Sequence, residues 1–267
     1  MSLFKRILAL KNPTPPADPG EKRKITRFAV GAAFPFKALL TLPARDDEGN
    51  MITGKNRSRA WAGKLANLSE TGALVHLHSS AIAGRGDPCT FSLSHGDYSL
   101  EFPGSVAHFR TQQHYASCGF TFQSDDADVQ KSYRQLLEPV AIGSTLKSVE
   151  PRSISQDTAG LIKSQYQGHA GALLTIWRPD RSPAIYSFDF RMNAYGVRWS
   201  EGMTEVEPYG LSKLNLAGVK TKSPFVHLIE SELDDVRWLF CLAVPNLPKA
   251  VPQDVREFLS TLVALSA

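Results

Sequence analysis

The sequence predicts a mainly β fold: a small antiparallel sandwich or barrel, of which a β-barrel with a closing helix is the simplest reading, followed by a second, α+β domain. Three observations predict it. Short runs rich in apolar and β-branched residues recur between turn residues from Phe36 to Phe122. A helical pattern follows them directly. The length of 267 residues allows about two domains, each large enough to bury its own core. Composition agrees: 42% hydrophobic residues, with 30 Lys plus Arg against 26 Asp plus Glu, exclude a disordered, collagen-like or membrane-embedded chain.

In chain order, residues 1–20 read as a short amphipathic helix and a linker. Leu3, Phe4, Ile7, Leu8 and Leu10 alternate with Lys5, Arg6 and Lys11, a pattern unlike a secretory signal. Such a piece docks on its own domain or frays; peripheral membrane contact of residues 1–11 is the other reading. Four prolines between Asn12 and Gly20 make the linker extended, because proline lacks the amide donor and fixes φ. The barrel domain is expected over residues 21–141. It opens on the basic segment Glu21 to Arg27 and continues with strands at Phe36–Leu42, Ala60–Leu65, Ala73–His78, Cys89–Leu93, Tyr98–Phe102, Gly104–Arg110 and Tyr115–Phe122. The polar stretch Ala44 to Arg59 suits a hairpin tip or loop. Ser124-Asp125-Asp126 starts a helix whose Val129, Tyr133, Leu136 and Leu137 share one face.

Residues 142–151 read as a connector to a domain over 151–267. There a short helix near Thr158–Tyr166 is expected. Strands follow at Ala172–Trp177, Ala184–Phe190, Gly196–Ser200, Phe225–Ser231 and Val236–Val244, with a hairpin turn at Leu233-Asp234-Asp235. A final helix starts near Pro252 with a stripe of Val255, Phe258, Leu259, Leu262 and Val263. Cys89, Cys118 and Cys241 form no CxxC or zinc pattern and read as buried fillers in a reducing, cytoplasmic setting. No apolar run approaches the roughly 20 residues of a membrane span.

The charge is uneven. Up to Leu65 there are 13 basic and 5 acidic residues (+8); beyond it, 17 basic and 21 acidic (−4). That asymmetry points to an anionic partner of the first quarter, a nucleotide, nucleic acid or anionic membrane, or to a solvated basic leader.

Two short motifs lie in the barrel region. Arg23 and Arg27 form RxxxR; Asn67-Leu68-Ser69-Glu70-Thr71-Gly72 forms NxSxxG between two expected strands. Each is common alone. In this order, followed by Ala73 to Leu77, Gly104 to Arg110, Tyr115 to Phe122 and the closing helix, the segment from about Glu21 to Pro139 resembles the PilZ domain family of small β-barrels that bind cyclic di-GMP. The resemblance implies that Arg23 and Arg27 hold phosphate and guanine. It also implies that Asn67 hydrogen-bonds the other guanine with an amide where many relatives have an acid, that Ser69 adds a hydroxyl, and that Gly72 permits a tight turn. In PilZ proteins generally the output is motility, exopolysaccharide or biofilm control. The separation of the motifs, about forty residues from Arg27 to Asn67, exceeds the family pattern, and the excess lies in 44–59.

The chemistry fits independently. Cyclic di-GMP carries two phosphodiester charges and two guanines. The arginine fork pairs bidentately with phosphate or with guanine O6 and N7, and its plane stacks on a base. Asn67 accepts from a guanine N–H without the charge assistance of a carboxylate. Lys22 and Lys24 add a diffuse field; Arg57 and Arg59 face ligand or solvate the loop.

No catalytic or metal set is expected, and no cofactor. The seven histidines include His76 and His78 on one strand face without a third ligand, and there is no GxSxG, Walker or GxGxxG motif. Glu230, Glu232, Asp234 and Asp235 read as a solvated turn. The pairs Trp177-Arg178, Arg198-Trp199 and Arg237-Trp238 lie in a net acidic half, and nucleic acid is not an expected partner. The leading expectation is a non-enzymatic cyclic di-GMP receptor that signals, with an unknown protein partner, by ordering of residues 20–27. The alternatives are a PilZ-like interaction adaptor that binds no nucleotide, favoured by the 44–59 insertion, and an enzyme within 151–267 with a pocket lined by His169, His227 and carboxylates.

Overall fold

A computed structural model of the chain describes residues 25–46, 48–52, 58–122, 126–211, 225–226 and 228–266. The leader helix and linker expected over residues 1–20, and Arg23, fall outside the described residues. The chain divides between Leu137 and Glu138 into two compact units.

In the first unit, β1 (Arg27–Ala29), β2 (Lys37–Pro43), β3 (Ser58–Ser69), β4 (Gly72–His78), β5 (Pro88–His95), β6 (Tyr98–Thr111) and β7 (Tyr115–Phe122) form one antiparallel sheet in the order β1-β3-β2-β5-β6-β7-β4. The additional pairing of β3 with β4 closes six of them into a barrel, with β1 laid along the end of β3. Closure leaves the six strands without a bare edge. Alternation along each strand fills the interior: Leu40, Leu42, Leu68, Val75, Phe91, Leu93, Ala116 and Cys118 are fully buried. Each of the larger side chains contributes roughly 1.5–3 kcal/mol of burial. Helix α1 (Ala127–Ser144) follows β7. Asp126 Oδ1 accepts from the amides of Asp128 and Val129, at 2.8 and 3.2 Å, which satisfies donors of the first turn. Tyr133 and the buried Leu136 and Leu137 face inward, and the Tyr133 ring meets Phe102 and Phe122 edge-on at 5.0 and 4.9 Å.

One expected break is absent. Tyr98–Phe102 and Gly104–Arg110 are a single strand, β6, running through Pro103. Pairing of β6 with β7 begins only at Gly104, so at Pro103 that side has no ladder for a missing N–H to interrupt.

The second unit is a seven-stranded antiparallel meander in chain order: β8 (Lys147–Ser148), β9 (Leu161–Gln167), β10 (Leu173–Pro179), β11 (Ser187–Met192), β12 (Tyr195–Ser200), β13 (Glu207–Leu211) and β14 (Phe225–Val226). Helices α2 (Glu230–Ala243) and α3 (Gln253–Ser266) supply the other half of the core, where Leu174, Ile176, Phe188, Phe190 and Val197 pack with Val236, Phe240, Val255 and Leu259. Ile142 and Leu146, within the expected connector, belong to this core.

Three expectations are corrected here. Thr158–Tyr166 is not helical: after Gly160 at φ +76 the chain enters β9, which finds ladder partners on both sides. β13 escaped notice because Pro208 and Gly210 weaken its strand signal; it holds because Gly196 opposite leaves room for the Tyr209 ring, whose hydroxyl donates to Asp189 Oδ1 at 2.6 Å. The hairpin of Phe225–Ser231 and Val236–Val244 is mostly helix α2. Buried Val236, Leu239, Phe240 and Ala243 follow the i, i+3, i+4, i+7 period, and the Glu232 carboxylate accepts from the Ile229 amide at 3.1 Å. The acidic run is therefore the start of a helix, where carboxylates suit the dipole, and not a turn.

Asp235 is the exception in that run, being 7% exposed. Burial, with Asp234 and Glu232 alongside, pushes its carboxyl up to about 6. The folded value lies above the ordinary ~3.9, so the fold favours the protonated form. Stability from this group therefore falls as pH rises from about 4 through about 6, and the loss is complete above that window. Asp235→Asn is expected to stabilise the protein by about 1 kcal/mol at about pH 7.5 and to gain nothing at about pH 4. Denaturant titrations of both proteins at the two pH values check this.

Candidate functional site

The two sequence motifs meet through strand pairing. β1 runs antiparallel to the end of β3 with Arg27 opposite Ser69, Phe28 opposite Leu68 and Ala29 opposite Asn67. Phe28 and Leu68 are buried, so the alternation turns Arg27 and Asn67 to the outer face, where Arg27 is exposed and Asn67 half-buried. A β-bulge at Ala66 interrupts the β3–β4 register between Leu65 and Asn67, and the Ala66 carbonyl accepts from the Val30 amide at 3.0 Å. Among the described residues, neither the Arg27 guanidinium nor the Asn67 amide has a hydrogen-bond or ion-pair partner.

Ser69 and Gly72 do something different from Arg27 and Asn67. They face each other across the two-residue turn Glu70-Thr71, and the Ser69 hydroxyl donates to the Gly72 carbonyl at 3.0 Å. Ser69 is buried, so its hydroxyl shapes the turn. Gly72 lies against β7: a Cβ there would stand 2.2 Å from the Phe120 carbonyl oxygen. The Thr71 carbonyl accepts from the Phe122 amide at 2.9 Å. Helix α1 adds the last tie, with the Tyr133 hydroxyl donating to the Ser69 carbonyl at 2.7 Å. Burial pushes the Tyr133 phenol well above its ordinary range, which favours the protonated, donating form. Sequence reasoning placed Tyr133 on the apolar face and missed this contact; the signal was a tyrosine in that face, since a buried phenol needs a partner. Tyr133→Phe leaves a buried carbonyl short of a donor and is expected to cost about 1–2 kcal/mol by urea denaturation.

The outer face around Asn67 carries positive and imidazole groups. One register row runs Asn67, Leu74, Gly119, His108; the next runs Lys64, His76, Ser117, Arg110. Neither row holds a carboxylate. His76 stacks at a tilt on Tyr115, ring centroids 4.5 Å apart, and His78 Nδ1 lies 2.7 Å from the Ser80 hydroxyl. Among the described residues no group of three or more His, Cys, Asp or Glu side chains could hold a metal. The arrangement suits a planar polyanion with edges to be read: an exposed guanidinium and a carbonyl-bearing amide on one face, above a rigid turn.

The model of the PilZ domain matches residues 21–138. This part of the chain is a PilZ domain. Similar solved structures include the PilZ domain with c-di-GMP of YcgR from Escherichia coli, at 12% identity and TM-score 0.32, covering 43% of this chain and 88% of that chain. YcgR in complex with c-di-GMP, also from Escherichia coli, is similar at 12% identity and TM-score 0.31, covering 44% of this chain and 45% of that chain. No curated protein matches.

The strand ends that flank the insertion of this PilZ domain lie away from the NxSxxG turn. Strand directions alternate around the barrel, so turns 70–71 and 96–97 lie at one end, and the strand ends at Pro43 and Ser58 lie at the other with connections 79–87 and 112–114. From Ser58 to Ser69 the 12-residue β3 spans about 36 Å at roughly 3.3 Å per residue. The described part of the insertion is pinned at that far end: Arg45 Nη2 pairs with the buried Asp87 carboxylate at 2.6 Å, which also accepts from the Gly84 amide at 2.6 Å. Arg59 lies over the Trp61 ring, 4.1 Å from its centroid; Arg57 falls outside the described residues.

The three cysteines are buried and free, and burial pushes the thiols of Cys89, Cys118 and Cys241 up to about 11, 12 and 11. In the second unit a cleft of about 850 Å³ is lined by Arg198, Glu207, Tyr209, Leu233 and Arg237. Its cations are already paired: Arg198 forks onto Glu207 at 2.9 and 2.7 Å, and Arg237 reaches Asp234 at 3.1 Å. His169 does not line it, and His227 is outside the described residues. No helix among the described residues is long and apolar enough to cross a membrane.

Proposed function

We propose that the chain is a non-enzymatic cyclic di-GMP receptor of the cytoplasm. The observation that carries the reading is the exposed Arg27 guanidinium and the Asn67 amide on one outer face of a PilZ domain, without partners among the described residues. Arg27 pairs with a phosphate or guanine edge, Asn67 accepts from a guanine N–H, and Ser69 and Gly72 hold the turn that presents them. Arg23, four residues before Arg27, joins from the segment leading into β1. Binding there orders residues 20–27 over the nucleotide, and that change is read by the second unit or a protein partner, a local electrostatic event with a wider readout. The nucleotide is a regulatory ligand and not a cofactor. The adaptor alternative rested on the 44–59 insertion, whose base is at the other end of the barrel.

Calorimetric titration of the purified full chain with cyclic di-GMP tests the reading. Saturable heat is expected, and its stoichiometry separates one nucleotide from a stacked pair; an absence of heat refutes the proposal.

A further inference from the structure

The cleft of about 850 Å³ in the second unit lies where the β13 ladder runs out. β14 pairs only with Gly210 and Leu211, so among the described residues Glu207 to Tyr209 have a strand on one side only. The Leu211 amide donates to the Ala194 carbonyl on the β12 side at 2.7 Å, so by alternation Pro208 turns to the open edge, with no N–H to offer. That edge disfavours a further strand and leaves contact to side chains. The floor they make is apolar: Val206 and Pro208 are buried, Met203, Leu228 and Leu233 are half-buried, and Ile229, next in the chain, is 53% exposed. The rim is acidic. Arg198 is forked onto Glu207, and Arg237 reaches Asp234, so the cleft's cations are spent on its own carboxylates. The two segments that form it beyond β12, residues 201–209 and 228–237, hold seven carboxylates and one arginine.

An apolar floor under a negative rim fits a segment with an apolar stripe and positive flanks. Residues 1–11 have that chemistry. Leu3, Ile7 and Leu10 fall at i, i+4 and i+7, Phe4 and Leu8 fall beside them, and Lys5, Arg6 and Lys11 supply three positive charges with no acid between them. As a helix, a segment of this length extends about 16 Å and is marginal in water without a surface to bury its stripe. The proline linker from Asn12 to Gly20 reaches about 28 Å at roughly 3.1 Å per residue, so the leader is not confined to the barrel.

We propose that this cleft is a docking site for the chain's own leader, residues 1–11, whose apolar stripe lies on Met203, Leu228 and Leu233 while Lys5, Arg6 and Lys11 meet the carboxylates of the rim. Docking there ties the chain ahead of the PilZ domain to the second unit. The test uses the full chain without nucleotide, carrying pairs of introduced cysteines under mild oxidation, read by intact mass and by gel. Cys89, Cys118 and Cys241 are buried and stay silent. Leu8→Cys with Leu233→Cys, and Leu8→Cys with Thr204→Cys at an exposed lining position, are expected to form an intramolecular disulfide at least about ten-fold faster than Leu8→Cys with Ile162→Cys, an exposed site on β9 four strands from β13. Adding Lys5→Glu and Arg6→Glu should slow the first two pairs by about ten-fold, and reversing the rim with Glu205→Lys and Glu230→Lys in the same chain should restore them. Equal rates for the three pairs overturn the proposal and leave the cleft to residues 212–224 or to a separate molecule. A rate indifferent to Lys5→Glu and Arg6→Glu overturns it too, as does a disulfide that joins two chains, which places a second copy in the cleft. If phosphatidylglycerol vesicles capture wild type but not Ile7→Asp/Leu8→Asp, and no cleft cross-link forms, the leader belongs to a membrane surface and the proposal falls. Should Leu233→Cys fail to fold, the Thr204→Cys pair decides.

Discussion

Arg27→Ala is expected to weaken cyclic di-GMP binding by about 100-fold or more, while Lys5→Ala and Lys55→Ala change it by less than about two-fold. A charge-assisted hydrogen bond contributes about 1.5–3 kcal/mol, and a bidentate fork on phosphate or guanine sits at the upper end, which converts to roughly two decades in affinity. The two lysines contribute only to a field that salt screens within a Debye length of about 8–10 Å. Calorimetry of the four proteins at one ionic strength reads this directly. Equal losses for all three variants would mean that the +8 balance of the first 65 residues acts as a diffuse field. Arg27 is suited to a large loss because it is exposed, points away from the barrel core and faces the turn that holds Ser69.

Gly72→Ala is expected to cost more than about 3 kcal/mol and to lower the melting temperature of the PilZ domain by more than about 10 °C. The new Cβ would lie 2.2 Å from the Phe120 carbonyl oxygen, 3.2 Å from its carbon and 3.3 Å from Thr121 Cα. All three are backbone atoms of β7, so no rotamer change relieves the contact; β4 and β7 must separate and give up part of their ladder. Gly49→Ala is the comparison: nothing lies within 4 Å of its Cβ, and only the positive φ of +84 opposes it, for about 1–2 kcal/mol. Thermal melts by circular dichroism rank the two variants. A Gly72→Ala protein as stable as wild type would show that the strands can part there at little cost. That glycine serves the barrel closure as much as the turn.

Much of the first unit was legible from the chain because its strands alternate inward and outward around a closed core, leaving a period of two in the residues. Pro103 misled only because a proline's effect depends on whether a neighbouring strand is there to miss its N–H, which is a tertiary fact. The second unit was harder to read. Val236 to Val244 is apolar and β-branched enough for a strand, and what made it helix α2 was the core that Val236, Leu239, Phe240 and Ala243 could reach together. Tyr166 and its neighbours went the other way, into β9, because ladders were available on both sides.

The same division runs through the candidate site. Sequence alone named the candidate side chains for that chemistry, since only arginine offers a planar cationic fork and only certain residues permit a tight turn. It also determined that the positive charge is concentrated early in the chain. The tertiary structure decided the rest. Pairing of β1 with β3 closed a forty-residue gap to put Arg27 beside the turn. Burial assigned the Ser69 hydroxyl to Gly72, and a bulge turned Asn67 outward. Strand direction put the ends of β2 and β3 that flank the insertion at the far end of the barrel. The physical reason is common to all of these: residue chemistry is local and travels with the sequence, whereas adjacency, facing and burial arise only when distant strands share one hydrogen-bonded register around one core.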